Sequence, residues 1–423
     1  MSVAQHRPII DEAWNVEVNG RSYRWPRRPV VVICYDGCDP AYVEAACRDG
    51  IVPNLARMRA DGFDGVALAA MPTFTNPNNV SIVCGAPPSV HGISGNYFLD
   101  VESGEAVMML DDAGMIARTI LSGFSRGGAE VATVTAKDKL LKALAKDLDG
   151  VAFSAEKADK ATLAANGIED ATRLVGRPTP GQYQPDLSLF VLDAGVRLLE
   201  EHAPDLVYLS LSDLVQHSHA PGTPEANAFM AEVDARVGRL IALGATVGIV
   251  ADHGMTDMAL EDGSPNVVYL GDALDARFGV GRTRVICPIT DPFVRHHGAL
   301  GGFVRVHVLD PELEAGEVLA EVAATDGVDL ALVRDEACAR FELPADREAD
   351  IVVVAEAGVA IGARAADHDL SQLAGTRLRS HGGLAEQRVP FILSRPLNAA
   401  YRARAEDTLR NFDIFDFAIN GTD

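Results

Sequence analysis

The chain has 423 residues, of which 48% are hydrophobic and 23% charged, a composition typical of folded globular proteins rather than disordered ones. Its 60 acidic residues against 37 basic ones give a net charge of −23, which disfavours nucleic acids and anionic membranes as partners. The six cysteines form no CxxC pair and are too sparse for a disulfide framework.

The N-terminal segment lacks the basic start and apolar core of a targeting sequence. Elsewhere, no apolar run approaches the roughly 20 residues of a membrane span. We therefore expect a cytoplasmic protein. A small anionic substrate would need a local cation in so acidic a chain, supplied by metal ions or a few placed lysines.

Short apolar runs that end in polar or acidic residues recur along the chain. The first is RPVVVICYDGCDP, which precedes the helical pattern AYVEAACRDGIVPNLARMRADG; VALAAMPTFTNPNNVSIVCG, APDLVYLSLSDLVQHSHAPG and GATVGIVADHGMTD repeat the arrangement. Strands that alternate with helices predict an α/β fold with a mostly parallel sheet covered by helices on both faces. Ligands bind beyond the carboxyl ends of strands in such sheets, so the site is expected in these loops.

A region of different pattern separates VGIVADHGMTD from RSHGGLAEQRVPFILS. It contains GGFVRVHVLD, ELEAGEVLAEVAATDG, VDLALVRDEACARF and ADIVVVAEAGVAIG, which form two strand-and-helix units. We predict a small α+β cap domain over residues 265–372, inserted into a core domain of residues 1–264 and 373–423. The cap is expected to act as a lid over the site.

Two acid–histidine pairs follow predicted strands. Asp213 and His217 are four residues apart, so one helical turn would put both on one face, where they could share a cation; a surface ion pair has the same spacing. Asp252 and His253 directly follow an apolar strand, and a turn with a locally bonded histidine is the alternative for this pair.

Two further candidates lie at strand boundaries: Asp36 at the end of the first run and His381 before two glycines and a late strand. Imidazole nitrogen with carboxylate oxygen is the ligand set of zinc, with manganese or iron as alternatives. The number of ligands suits two ions about 4 Å apart, an arrangement that stabilises phosphoryl transfer.

The segment TNPNN predicts the start of a helix at Thr75, because Pro77 fits its first turn and Gly85 its end. Backbone N–H groups at a helix N-terminus attract an oxyanion. A metal ion would convert the threonine hydroxyl into a nucleophile at neutral pH. An N-cap threonine in an asparagine-rich turn is the alternative interpretation.

In their order along the chain, and with Asn96 in HGISGNYF, these motifs resemble the alkaline phosphatase superfamily. The nearest branches are the nucleotide pyrophosphatase/phosphodiesterases and the phosphonoacetate hydrolases, and the resemblance spans about residues 30 to 260 and 375 to 400. It implies that Asn96 and the amide of Asn76 hold a phosphoryl oxygen. It also implies two metal sites, one formed by Asp36, Thr75, Asp252 and His253 and the other by Asp213, His217 and His381.

The choice of branch depends on TVTAKDKLLKAL, where Lys137 and Lys139 are two residues apart and would point to one face of an extended segment. They resemble the carboxylate-binding lysines of phosphonoacetate hydrolases; two solvated lysines at a helix start are the alternative. Asn76 and Asn79 stand where the phosphodiesterase branch has phenylalanine and histidine, which disfavours nucleotide diesters. His219 is either a substrate contact or a hydrogen-bonded loop histidine.

Together with these residues, the resemblance implies a two-zinc hydrolase that cleaves the C–P bond of phosphonoacetate through a phosphothreonine at Thr75. A nucleotide pyrophosphatase/phosphodiesterase is the alternative with the same chemistry. A mutase-like isomerase, which would use serine as nucleophile, and a metal-stabilised binding protein are rivals of other classes. A homodimer is expected because dimers are common. His296 and His297 are either lid contacts or a solvated pair.

Overall fold

The structure is a computed structural model that describes residues 14–100, 102–108, 112–290, 297–373 and 375–423. In chain order its strands are β1 (Asn15–Val18), β2 (Arg21–Arg24), β3 (Val30–Cys34), β4 (Phe63–Leu68), β5 (Tyr97–Asp100), β6 (Glu105–Met108), β7 (Val131–Thr135), β8 (Val151–Ser154), β9 (Leu206–Ser210), β10 (Thr246–Val250), β11 (Thr256–Asp257), β12 (Val267–Tyr269), β13 (Thr283–Ile286), β14 (Phe303–Val308), β15 (Val328–Val333), β16 (Ile351–Ala355), β17 (Ala360–Gly362), β18 (Arg379–Ser380) and β19 (Arg388–Leu393).

The α-helices are α1 (Pro40–Arg48), α2 (Pro53–Asp61), α3 (Thr75–Cys84), α4 (Pro88–His91), α5 (Ile120–Arg126), α6 (Asp138–Leu144), α7 (Leu163–Asn166), α8 (Ala171–Val175), α9 (Asp186–Glu201), α10 (Leu214–Ser218), α11 (Pro224–Ala242), α12 (Leu270–Phe278), α13 (Ala315–Ala323), α14 (Arg334–Phe341), α15 (Ala399–Arg404) and α16 (Ile414–Asn420). Within the described ranges, none of these helices combines the length and the apolar character needed to cross a membrane.

A seven-stranded sheet forms the centre of the fold, in the order β4-β19-β10-β3-β9-β7-β8. The five strands from β10 to β8 are parallel, whereas β19 runs antiparallel between β10 and β4. Every residue of β3, β7, β9 and β10 is buried, which explains why these strands are continuous apolar runs without alternation. The predicted α/β class with a mostly parallel sheet is confirmed.

Helices cover both faces of this sheet. The ring of Tyr208 in β9 contacts that of Phe415 in α16, with centroids 6.0 Å apart. The next residue, Leu209, lies against Gly195 in α9. Because successive side chains of a strand point to opposite faces, α16 and α9 pack on opposite sides of the sheet.

The strand order determines which loops meet at the carboxyl edge of the sheet. The neighbours β10, β3, β9 and β7 are parallel, so the loops that follow them lie side by side. Those loops carry Asp252, Asp36, Asp213 and Lys137 in the same spatial order.

A second sheet lies within the predicted insertion, with its strands in the antiparallel order β13-β14-β16-β15. The sequence analysis anticipated β14, β15, β16 and the helices α13 and α14 but not β13. The hydrophobic cluster of this sheet also includes Met71 and Phe74, and Phe74 packs edge-on against Phe303 with ring centroids 6.1 Å apart. The insertion thus packs directly against the residue that precedes Thr75. The domain bounds 265–372 stay a prediction.

Candidate metal centre

Helix α3 places Thr75 at its first residue, as predicted. All ten residues of this helix are buried, and its N-cap position is held by Phe74, whose side chain makes no capping hydrogen bond. The interpretation of Thr75 as the N-cap is therefore wrong. The Thr75 hydroxyl oxygen instead lies 3.3 Å from Nε2 of His253.

A first group of potential ligands surrounds this hydroxyl. Asp36, Asp252 and His253 are buried, and each offers a ligand atom within 4.8 Å of the others. His253 Nε2 lies 3.3 Å from Asp36 Oδ1 and 3.7 Å from Asp252 Oδ2. The structure thus brings together the four residues that the family resemblance assigns to one metal.

A second group lies beside the first. Asp213, His253 and His381 are buried and offer ligand atoms within 4.8 Å of one another. His217 Nε2 lies 3.0 Å from Asp213 Oδ2, since α10 puts these residues on one turn, as their spacing predicted. The rings of His253 and His381 stack with centroids 3.5 Å apart, so the two groups share a border.

The three histidines direct the same ring nitrogen into the site. In each, Nδ1 lies beside a backbone carbonyl oxygen, which can only accept a hydrogen bond, so Nδ1 carries the proton and a neutral ring keeps its Nε2 lone pair. The carbonyls belong to Arg379 (2.7 Å from His217), Gly254 (2.8 Å from His253) and Thr73 (2.8 Å from His381). This is the arrangement that orients metal-binding imidazoles.

The two carboxylates of the first group differ in their hydrogen bonds: Asp252 accepts from the Gly37 and His253 N–H groups and from Asn79. Among the described residues, neither side-chain oxygen of Asp36 has a hydrogen-bond partner. Burial, and then the neighbouring charge of Asp36, raise the pKa of Asp252 well above its usual range. Burial lowers the pKa of His253, but Asp252 and Asp36 outweigh it and raise that pKa to about 9. Buried acids of this kind suit a divalent cation.

Lys137 lies at the border between the two groups. Its Nζ is 2.8 Å from Asp213 Oδ1 and 3.8 Å from Asp36 Oδ2. Burial raises the pKa of Asp213, but the positive charges of Lys137 and His217 hold it well below the usual range. The amino group therefore lies within the site, close to an acid from each predicted metal set.

Lys139 does not share an extended segment with Lys137. Strand β7 ends at Thr135, and α6 begins at Asp138 with Lys137 as its N-cap. The prediction that Lys137 and Lys139 point to one face of an extended segment is therefore wrong. The two lysines instead lie at a helix start, as in the alternative interpretation, and Asp138 provides an acidic residue for the first turn. A substrate-binding role for Lys139 stays a prediction.

The predicted phosphoryl-binding residues occupy two segments. Asn76 is the second residue of α3, where backbone N–H groups have no acceptor within the helix. Asn96 precedes β5 and is buried; its side-chain NH₂ donates to the carbonyl of Ile289 at 3.2 Å. That bond uses one of two N–H donors of the amide. The roles of both residues stay predictions.

His219 lies at the C-terminal end of α10, with its ring partly exposed. Its Nδ1 is 3.8 Å from Glu225 Oε2, and its backbone carbonyl accepts a hydrogen bond from the Tyr42 hydroxyl at 2.6 Å. These contacts favour the loop-histidine interpretation. A substrate contact by His219 stays a prediction.

Two further residues, Asn79 and His297, contact the site, and the solvated interpretation is wrong for His297, which is buried. Asn79 donates to Asp252 Oδ2 at 3.1 Å and to the Thr75 carbonyl at 3.0 Å. His297 is buried and stacks on His217, with ring centroids 5.4 Å apart, whereas His296 lies outside the described residues. The helical spacing of Thr75 and Asn79 is a local signal for the first contact; no comparable signal links His297 to His217.

Comparison with known proteins identifies close relatives. Residues 30–383 match the family described as type I phosphodiesterase / nucleotide pyrophosphatase. The crystal structure of phosphonoacetate hydrolase from Sinorhizobium meliloti 1021 in complex with phosphonoformate is 48% identical in sequence, with a TM-score of 0.91 over 96% of this chain and 99% of that chain. The complex of the same enzyme with phosphonoacetate gives 47% identity and a TM-score of 0.90 over the same shares.

Two more comparisons are narrower. A phosphonoacetate hydrolase from Penicillium oxalicum is 62% identical over 32 residues, which span 8% of this chain and 44% of that protein. Murine ectonucleotide pyrophosphatase / phosphodiesterase 5 is 17% identical, with a TM-score of 0.62 over 93% of this chain and 96% of that chain, and shares the fold. From the family match and the near-complete alignment at 48% identity, we conclude that the chain belongs to the type I phosphodiesterase / nucleotide pyrophosphatase family.

Proposed function

We propose that this protein hydrolyses phosphonoacetate to acetate and phosphate, with Thr75 as the nucleophile and two zinc ions as cofactors. The observation that carries the proposal is the 48% identity with a phosphonoacetate hydrolase over nearly the full length of both chains. The buried acid and imidazole groups of this chain support it, because their ligand types and histidine orientation suit zinc.

The two groups divide the ligands in the proposed site. Asp36, Thr75, Asp252 and His253 would hold one ion, and Asp213, His217 and His381 the other. Bound there, the ions would lower the pKa of the threonine hydroxyl and offset the charge of the phosphoryl group. The position of Thr75 at the start of a buried helix also provides backbone N–H groups for a phosphoryl oxygen.

The reaction requires a carbon leaving group. The Thr75 hydroxyl loses its proton as its oxygen bonds to phosphorus. The P–C bond breaks, and the electron pair of that bond passes to the CH₂ carbon, where the adjacent carboxylate delocalises it as an enolate; the proton that this carbon gains balances the one that Thr75 loses. Proton transfer to that carbon gives acetate, and water then hydrolyses the phosphothreonine to phosphate and free Thr75. Covalent catalysis divides a difficult substitution into two easier steps.

Lys137 is the candidate partner of the substrate carboxylate. Its amino group lies at the Asp213 and Asp36 carboxylates, on the border between the two metal groups, and we propose that it binds the substrate carboxylate there. A positive charge there would stabilise the enolate as it forms, which is where electrostatic stabilisation lowers the barrier.

The test is a substrate panel with the zinc-loaded protein. Equal amounts of phosphate and acetate are expected from phosphonoacetate, with weak turnover of an aryl phosphodiester. Thr75→Ala is expected to lower kcat by about 10³-fold or more, because it removes the nucleophile. Thr133→Val is the matched control, since Thr133 is a buried threonine in β7 whose hydroxyl has no hydrogen-bond partner among the described residues.

Three outcomes would contradict the proposal. Preferential turnover of nucleotide diesters would favour a phosphodiesterase, and transfer of phosphate within a substrate without release would favour a mutase. Lack of turnover of every phosphonate and phosphate ester by protein with bound zinc would favour a metal-stabilised binding protein.

A further inference from the structure

The segment that carries Asn96 is held by the inserted region. The backbone N–H of Asn96 donates to the Pro288 carbonyl at 2.8 Å, and its side chain donates to the Ile289 carbonyl at 3.2 Å. Arg347 Nη1 donates to the Gly92 carbonyl at 2.8 Å, at the other end of the segment. The described hydrogen bonds of Asn96 thus lead to Pro288 and Ile289 and not to the metal groups.

Between these two contacts, Arg305 of β14 binds the same segment. Its Nη2 donates to both the carbonyl and the hydroxyl oxygen of Ser94, each at 3.1 Å. A Cβ on Gly95 would lie 2.7 Å from Pro288 Cβ and 3.2 Å from Arg305 Nη1. Only glycine allows the segment to approach the second sheet this closely.

Glu348 fixes the Arg305 guanidinium in place. Its carboxylate accepts from Arg305 Nε at 2.6 Å and from Nη2 at 2.8 Å, and Oε1 also accepts from the Ala349 N–H at 2.9 Å. Both side chains are fully buried. A planar guanidinium held by two parallel bonds has little rotational freedom, so it presents a fixed donor to Ser94.

Stability alone is a poor reason for a buried ion pair of this kind. Removal of two charges from water is costly, and well-packed apolar residues are often as stabilising. What the pair provides is a defined direction for the second N–H of Arg305 Nη2, which points at Ser94, two residues before Asn96.

We propose that Arg305 and Glu348 are positioning residues for Asn96, so that the inserted region sets the geometry of phosphoryl binding. The inference rests on the proposed role of Asn96 but not on the identity of the leaving group, because the role proposed for Asn96 is to hold a phosphoryl oxygen. Neither residue touches substrate; both act through Ser94 and the backbone that joins it to Asn96.

A double-mutant cycle tests this. The variants are Asn96→Ala, the paired replacement Arg305→Met with Glu348→Met, and all three replacements together. For each, kcat and KM are measured on zinc-loaded protein whose folding has been verified. Misplacement of a binding group by about 1 Å costs up to about 100-fold, so the paired replacement is expected to lower kcat/KM by about 10- to 100-fold. In the Asn96→Ala background it should have no further effect, because coupled residues are non-additive.

Losses that multiply in the triple variant, or an unchanged kcat/KM in the paired variant, would overturn the inference. If the paired variant does not fold, Ser94→Ala replaces it in the cycle, because this change removes one acceptor of Arg305 and leaves the ion pair intact. Arg334→Met is the control, because the Arg334–Asp350 pair (2.9 Å) lies in the same region without a described contact to the Asn96 segment. The cycle is run on phosphonoacetate and an aryl phosphate ester, so that failure of the proposed substrate is distinguished from failure of this coupling.

Discussion

Asn79 uses every hydrogen-bonding position of its side-chain amide. Its NH₂ group donates to Asp252 Oδ2 and to the Thr75 carbonyl, while its oxygen accepts from the hydroxyls of Tyr208 and Ser210, each at 2.8 Å. An amide with two donors and two acceptor lone pairs is then saturated. Asn79 therefore fixes a metal-ligand candidate relative to the nucleophile candidate.

Replacement of Asn79 by leucine is expected to weaken zinc binding by about 10- to 100-fold, the usual effect of removing a residue that orients a ligand. Competition with a chromogenic chelator measures it. Thr246→Val is the matched control, because Thr246 begins β10, the strand that leads to Asp252, and its buried hydroxyl has no described partner. Unchanged zinc affinity in folded Asn79→Leu protein would contradict the assignment.

Lys137→Ala is expected to lower kcat/KM for phosphonoacetate by about 10- to 100-fold, the equivalent of about 1.5–3 kcal/mol for a hydrogen bond to a charged group. Turnover of an aryl phosphodiester should change little, because that substrate lacks the carboxylate. Lys142→Ala on the exposed side of α6 is the control. Equal losses on both substrates would mean that Lys137 supports the metal site and does not read the carboxylate.

The sequence was informative about residues where short-range geometry decides the outcome. The spacing of Asp213 and His217 placed them on one turn, and the structure has their side chains 3.0 Å apart. The prediction that Lys139 lies on the same extended segment as Lys137 was wrong, because the pattern of residues did not show that the strand ends at Thr135 and a helix begins at Asp138. The stacking of His297 on His217 joins residues 80 positions apart, and composition or periodicity carries no information about it.

At the scale of elements, α3 depends on the turn that ends it. Gly85 has φ 62°, and a Cβ there would lie 2.4 Å from the Tyr23 hydroxyl oxygen. Both the left-handed conformation and the close approach of a buried tyrosine therefore require glycine. The sequence predicted this helix end, but the contact with Tyr23 depends on the position of β2.

Gly85→Ala is expected to lower the free energy of unfolding by about 2–4 kcal/mol, from the left-handed backbone and from overpacking together. Gly20→Ala is the comparison, since Gly20 has φ 79° but no atom within 4 Å of its Cβ position, so that only the backbone cost of about 1–2 kcal/mol applies. Urea unfolding of both variants measures the difference. Equal losses would show that Tyr23 moves aside at no cost.

The arrangement of elements was predictable in part. Continuous apolar runs that end in acidic residues indicated buried parallel strands, and β3, β9 and β10 are of this kind. The antiparallel insertion of β19 between β10 and β4 was not foreseen, because strand direction depends on long connections. The missed β13 is a four-residue strand, too short to show a period.

At the scale of the whole molecule, the net charge of −23 raises the free-energy cost of keeping ionised acids buried. Asp36, Asp213 and Asp252 lie together at one edge of the sheet, where Lys137 contacts the first two. Like charges in a buried site repel strongly unless cations are present. The fold therefore concentrates negative charge where two divalent ions would relieve it.

Anomalous diffraction at the zinc edge from zinc-loaded crystals tests this account most directly. We predict two peaks about 4 Å apart, one among Asp36, Thr75, Asp252 and His253 and the other among Asp213, His217 and His381. The Thr75 hydroxyl should face the first peak. An empty pocket after loading, or a Thr75 side chain turned away from the metal, would contradict the central claim.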